Sequence, residues 1–288
     1  MLHRFVLHND RIGDASDPVL APGQVGLLSG WGVFSTLRVA DGVLFAFERH
    51  WARISRDAAA MHVPLPHDPE EVRRRLLELV EANHAFNSTL RLVIVRNGGG
   101  MWAGPSNGRA SDVIALTADS KDWGEGVRLG YVEHARHAAC EFSTTKILSW
   151  AMNLTWVESA QRRGLDEVIL LNEHGDVAEC TSANIFASTG GQVWTPPVSS
   201  GCLPGITREV LLGEIHLPGI RIAEKNLTPA ELESADEVFI TSTTRSLLPV
   251  HEIEGKKIGR TDHTRHALAE AFGEFVDRYV AAHKGAAV

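Results

Sequence analysis

The dipeptide Asp41-Gly42 lies between two strand-like runs, FSTLRV (34–39) and VLFAF (43–47), and constrains the fold more than any other feature of the chain. Asp-Gly supplies the positive backbone φ that a two-residue hairpin turn demands, so the flanking runs are predicted to pair antiparallel. Similar punctuation recurs downstream. LRLVIV (90–95) and VIALTA (113–118) read as strands on either side of a glycine-rich loop from Gly98 to Gly108. The strand EVILL (167–171) is followed by the turn Asn172-Glu-His-Gly175 and then by DVAEC, SANIFAS and QVWTP. Strands in runs, joined by hairpins and not by regular crossover helices, predict an α+β fold and argue against a doubly wound sheet.

Helices fall between these runs. Phe47, Trp51, Ile54, Ala58 and Met61 recur at helical spacing and predict a helix over about 48–61, stopped by Pro64 and Pro66. A second helix opens with Asp68 as cap, Pro69 at its first position, and Glu70 and Glu71 near the positive end of its dipole. Further helices are predicted from about Ile147 to Arg163, near Thr207 to Ile215, and from Asp262 to Ala282. The polar, turn-like stretch 121–126 is read as a linker between a smaller N-terminal domain (1–120) and a larger, strand-rich domain (127–288).

Composition narrows the function. The formal charge of −8 lacks the basic excess of a general nucleic-acid binder. Any anionic ligand must then be caught by local arginines or backbone N–H groups. The N-terminus does not read as a secretory signal, and no stretch of about 18 apolar residues exists to span a membrane. Cys140, Cys180 and Cys202 form no CxxC pair and leave an odd thiol, so neither a disulfide frame nor a metal site is assigned. A cytoplasmic protein is expected.

Lys146 follows Ser143-Thr144-Thr145 and precedes the apolar run Ile147-Leu148-Ser149-Trp150-Ala151. Alone, it reads as a solvated surface lysine. Desolvation in such a run would instead disfavour the ammonium form and leave a usable nucleophile for a carbonyl. Glu179 alone reads as a glutamate closing a hairpin, and Arg53 as the i,i+4 partner of Asp57 on a helix surface. Gly205-Ile206-Thr207 opens a predicted helix, whose free N–H groups make an anion site, though Thr207 can equally serve as a plain cap.

In order, the chain carries Trp31-Gly32-Val33-Phe34-Ser35-Thr36-Leu37-Arg38, Phe47-Glu48-Arg49-His50-Trp51-Ala52-Arg53-Ile54, the segment from Lys146 to Leu154, and Glu158 to Asn172. These are followed by Gly175 to Phe186, Pro204-Gly205-Ile206-Thr207-Arg208 and Val238 to Val250. In that order and spacing the blocks resemble the class IV aminotransferases, the fold type IV enzymes that use pyridoxal 5′-phosphate, and the likeness covers nearly the whole chain. The resemblance implies that Lys146 carries the cofactor covalently and shuttles a proton at the substrate's α-carbon. It places Glu179 against the pyridine nitrogen. It assigns Arg53, Ile206, Thr207, Thr243 and Thr244 to the phosphate, and it implies a homodimer.

The substrate side is expected to be largely apolar, from Trp31, Phe34, Met101 and Trp102, with Arg38, Arg96 or Arg245 available for a carboxylate. Each of these also reads as ordinary core or surface. An amino acid aminotransferase of branched-chain type, acting by a ping-pong mechanism on a small aliphatic donor and a 2-oxo acid, leads this reading. 4-Amino-4-deoxychorismate lyase and D-amino acid or (R)-amine transaminase are the alternatives.

Overall fold

The computed structural model describes residues 1–17, 20–66, 68–101 and 108–284. They divide into two compact units. The first comprises Met1–Lys121 together with Thr145–Trp150 and the segment from Val276 onward; the second comprises Asp122–Thr144 and Ala151–Phe275.

The first unit is built on a six-stranded sheet. In chain order its strands are β1 (Leu2–His8), β2 (Arg11–Asp14), β3 (Gly32–Ala40), β4 (Val43–Leu44), β5 (Ser88–Arg96) and β6 (Ser111–Asp119), arranged β2-β1-β6-β5-β3-β4 with every neighbour antiparallel. A short helix α1 (Val25–Ser29) precedes β3, and α2 (Phe47–Ala60) and α3 (Pro69–Ala82) follow the hairpin. The hairpin forms as expected at Asp41-Gly42, but its return strand stops at Leu44. Ala46 turns into the left-handed region (φ 53°) and Phe47 already starts α2, so the run VLFAF is only in part a strand. Cap and proline at the start of α3 act as read: the Asp68 carboxylate accepts from Glu70 N at 2.9 Å.

Strand alternation sorts the residues of β3 and β5 onto two faces. Val33, Leu37, Val39, Leu90, Leu92 and Ile94 join Ile54, Ala58, Leu76 and Leu79 of the helices in one core. Burying each such side chain fully contributes about 1.5–3 kcal/mol. Phe34, Thr36 and Arg38 point the other way, beside Arg91 and Val93 of β5.

The segment 147–150 is not helical, which corrects the expected helix start at Ile147. Ile147 bridges Val33, Leu148 N donates to Gly32 O at 3.0 Å, and the helix α4 (Ala151–Arg162) begins only after Trp150. Gly32 permits this approach: a Cβ there would meet Leu148 Cδ1 at 2.5 Å and Ile94 O at 2.4 Å.

The second unit holds a nine-stranded mixed sheet. Its strands are β7 (Val127–Val132), β8 (Glu167–Leu171), β9 (Val177–Cys180), β10 (Asn184–Thr189), β11 (Gln192–Thr195), β12 (Arg221–Glu224), β13 (Glu237–Ser242), β14 (Ser246–Ile253) and β15 (Lys256–Lys257). The order is β12-β11-β10-β13-β14-β7-β8-β9, with β15 on β14. Parallel pairs β7–β8, β7–β14 and β11–β12 interrupt an otherwise antiparallel pattern. Helices α4, α5 (Ile206–Gly213) and α6 (Pro229–Ser234) are interspersed, and the long C-terminal helix α7 (His263–His283) contains the division between the units. The core of this unit includes Leu129, Ile169, Val177, Ile185, Ile240 and Ile253. No helix among the described residues is long and apolar enough to cross a membrane.

Candidate functional site

In the first unit, functional side chains gather around the strap from Thr145 to Trp150. Lys146 is anchored through its backbone at both ends. Its N–H donates to the Asp57 carboxylate at 3.0 Å, and its carbonyl accepts from Phe34 N at 3.1 Å. Its amine Nζ lies 4.6 Å from the centre of the Phe34 ring, which also meets Trp150 edge-on at 6.2 Å. A half-buried amine held over an aromatic ring is partly shielded from water, as the apolar run after Lys146 implies.

Helix α2 supplies a buried polar stripe at i, i+3, i+7 spacing: His50, Arg53 and Asp57, exposed by 1%, 8% and 1%. Arg53 and Asp57 do not form the surface pair that their spacing suggests. Arg53 Nη2 donates to Ser35 Oγ of β3 at 2.8 Å, whereas Asp57 accepts from Arg56 and from the Lys146 backbone. Ser35 Oγ also lies 2.7 Å from His50 Nδ1. Burial first, then the positive charges of Arg53 and Lys146, hold His50 well below the ordinary histidine pKa, so its imidazole is neutral.

The candidate carboxylate partners separate. Arg96 is committed to its own loop: its guanidinium donates to Gly98 O and to His62 O, both at 2.7 Å, and stacks 4.1 Å from the Trp31 ring. Arg38 is half-buried beside Thr36 on the Phe34 face of β3, opposite Thr89. Trp102 lies outside the described residues, and its neighbour Met101 is 90% exposed.

Arg91 is a residue that sequence reasoning missed. It sits on β5 diagonally across from Phe34, with its guanidinium carbon 4.4 Å from the ring centre. Burial alone pulls its pKa below the ordinary guanidinium value, and no carboxylate offsets that pull. The available signal was its place between Leu90 and Leu92, where alternation puts a cation on the face opposite the core.

The second unit holds the remaining residues. Glu179 on β9 is 5% exposed, not a surface glutamate. One oxygen accepts from Arg136 Nη2 at 2.9 Å and Nε at 3.2 Å, and the other accepts from Leu203 N at 3.0 Å. Arg136 lies 43 positions away and carried no sequence signal. Helix α5 starts at Ile206 after Gly205, and no side chain caps it. Thr207 is 4% exposed there. Its hydroxyl is therefore not serving as the plain cap that the sequence left open.

Thr243 and Thr244 occupy the turn between β13 and β14, where Ser242 Oγ lies 3.4 Å from Thr244 Oγ1 and accepts from Arg245 N at 3.2 Å. Arg245 braces this turn. It donates to Ser182 Oγ at 3.0 Å, pairs with buried Glu167 at 3.5 Å and stacks 3.8 Å from the Trp123 ring. The thiols of Cys180 and Cys202 are buried and held protonated, Cys180 well above the ordinary thiol value and Cys202 pushed up to about 12 by burial, so neither is a ready nucleophile.

The donor set fits pyridoxal phosphate. In the second unit, an uncapped helix start and hydroxyls suit a phosphate, and a buried carboxylate suits a protonated ring nitrogen.

A family model described as amino-transferase class IV matches residues 32–253. A D-alanine aminotransferase of Bacillus licheniformis is 31% identical over 258 residues, 88% of this chain and 90% of that protein. A branched-chain-amino-acid aminotransferase of Pseudomonas aeruginosa is 28% identical over 268 residues, covering 88% and 87%. Among solved structures, the branched-chain aminotransferase of Thermoproteus uzoniensis with norvaline superposes with a TM-score of 0.87 at 27% identity, covering 97% of this chain and 98% of that one.

Proposed function

The chain belongs to the class IV aminotransferases, pyridoxal-phosphate enzymes of fold type IV, and on that premise we propose that it moves an amino group between a small aliphatic amino acid and a 2-oxo acid. The observation that carries this reading is the first-unit cluster of Lys146, Phe34 and Arg91. It presents an amine, an apolar ring and a half-buried guanidinium with, among the described residues, no carboxylate shifting its pKa. Those are the groups that a substrate with an α-amine, an apolar side chain and a carboxylate calls for.

Bound to the protein, the cofactor supplies an electron sink that stabilises negative charge at the substrate's α-carbon. The chain's residues do the rest. Arg53, the Ile206 and Thr207 N–H groups, the Thr207 hydroxyl, Thr243 and Thr244 hold the phosphate. Glu179, oriented by Arg136 and Leu203 N, holds the proton on the ring nitrogen. Lys146 would hold the cofactor through its amine and would take up and return the proton at the substrate's α-carbon. Arg91 holds the carboxylate, with Arg38 on the same face of the sheet as a further cation. The reaction alternates between donor and acceptor, so ping-pong kinetics follow. A homodimer in the cytoplasm completes the reading.

The D-alanine aminotransferase relative is as similar as the branched-chain ones, so handedness belongs in the test. L- and D-forms of valine, leucine and alanine, and an (R)-amine, are each given to the cofactor-loaded enzyme with 2-oxoglutarate or pyruvate, and half-reactions are followed by cofactor absorbance. Turnover of L-leucine and L-valine supports the proposal. Turnover of D-alanine or the (R)-amine alone replaces it with the D-specific reading. Pyruvate release from aminodeoxychorismate without any acceptor replaces it with the lyase.

A further inference from the structure

Three polar groups lie in the apolar layer between α2 and β3: Ser35, exposed by 0%, with His50 and Arg53. The Arg53 guanidinium sets the direction of one of their hydrogen bonds. A guanidinium donates and never accepts, so Ser35 Oγ accepts from Arg53 Nη2 across 2.8 Å. The hydroxyl has one proton, and it lies 2.7 Å from His50 Nδ1. With His50 neutral and its proton assigned to Nε2, that nitrogen accepts the hydroxyl's proton, and the chain Arg53→Ser35→His50 is satisfied at each link. Were the imidazole charged, Ser35 would face two donors, and two cations would share a dry layer with Lys146 nearby.

We propose that Ser35 and His50 are positioning residues that hold the Arg53 guanidinium in the one orientation in which it grips the cofactor phosphate. The proposal rests on the reading of Arg53 as a phosphate ligand. Arginine side chains carry much rotamer entropy and tend to extend toward water. A buried hydroxyl whose own proton goes to His50 presents a lone pair to Arg53 at a set place, so that arm of the fork is oriented before any anion arrives. Apolar side chains at 35 and 50 would fill the same space without this effect.

The test compares dissociation constants of apo-protein for pyridoxal phosphate and for pyridoxal, which keeps the aldehyde and ring and lacks the phosphate. Ser35→Ala is expected to weaken pyridoxal phosphate by about tenfold, the weight of one hydrogen bond to a charged group. Pyridoxal affinity is expected to stay unchanged, and Ser35→Thr, which keeps the hydroxyl, to restore the ratio. His50→Leu is read in the same way and is expected to shift the ratio in the same direction. Equal loss for both ligands, or no loss for either, overturns the positioning role. If Arg53→Ala changes the ratio while Ser35→Ala and His50→Leu do not, positioning fails and the phosphate reading stands. If Arg53→Ala leaves the ratio unchanged, the phosphate reading fails and the proposal with it.

Discussion

Replacing Asp57 by alanine tests whether a buried carboxylate on α2 is what holds the strap carrying Lys146. Asp57 is 1% exposed and accepts the Lys146 N–H at 3.0 Å. A hydrogen bond to a charged group contributes about 1.5–3 kcal/mol, and a buried N–H left without its acceptor costs a similar amount. The other partner, Arg56, has a side chain 48% exposed, so water replaces that contact at little cost. Two neighbouring bonds, Phe34 N to Lys146 O and Leu148 N to Gly32 O, remain. The strap should therefore stay in place but open more often. At roughly 1.4 kcal/mol per decade, amide exchange in the Lys146 segment should quicken by about 10- to 100-fold. Hydrogen-exchange mass spectrometry of Asp57→Ala reads this directly, with Asp57→Asn, which keeps one oxygen, giving a smaller effect. Unchanged exchange over residues 145–150, or an equal rise throughout the chain, would refute the reasoning.

Arg91→Met should raise KM for 2-oxo acid acceptors by about tenfold or more, through loss of a charge-assisted contact, and an unchanged KM removes Arg91 from the substrate site. In the second unit, Glu167 accepts from Thr181, Ser182 and Val168 N and pairs with Arg245. Glu167→Ala strands that buried guanidinium and should lower stability by about 3–5 kcal/mol, measured by denaturant unfolding, whereas replacing both partners by apolar residues should cost less. His50 gives a pH dependence. Its folded pKa lies well below the unfolded value near 6.5, so its contribution to stability is full above about pH 6.5 and is lost progressively as pH falls from there toward the folded pKa. His50→Leu should flatten the fall in stability between about pH 6.5 and 5, and an unchanged slope there would show that another group carries it.

What could be read without coordinates was local in origin. Helical spacing, the Asp68 cap and Pro69 are enough for α3, and Asp41-Gly42 for the hairpin, because each signal lies within one turn of the backbone. The order of the motif blocks was likewise enough for the family. The run after Lys146 was legible as apolar but not as a non-helical strap. An apolar stretch serves a helix or a strand equally well, and the choice came from pairing with Gly32 and Val33, more than a hundred positions away.

The same limit applied to Arg53 and Asp57. Spacing on α2 made them neighbours, and local rules paired them. Tertiary structure set β3 and the Lys146 strap against that helix, and each residue took a partner from there. Arg136 on Glu179, and Arg91 beside Phe34, were decided in the same way, by register across strands and loops. The sequence by itself determined the hairpin, the start of α3, the family and the kinds of side chain its chemistry needs. Only the tertiary structure decided which buried donor met which acceptor, because a polar group in a dry interior takes its partner from whichever chain segment packs against it, at whatever distance in sequence.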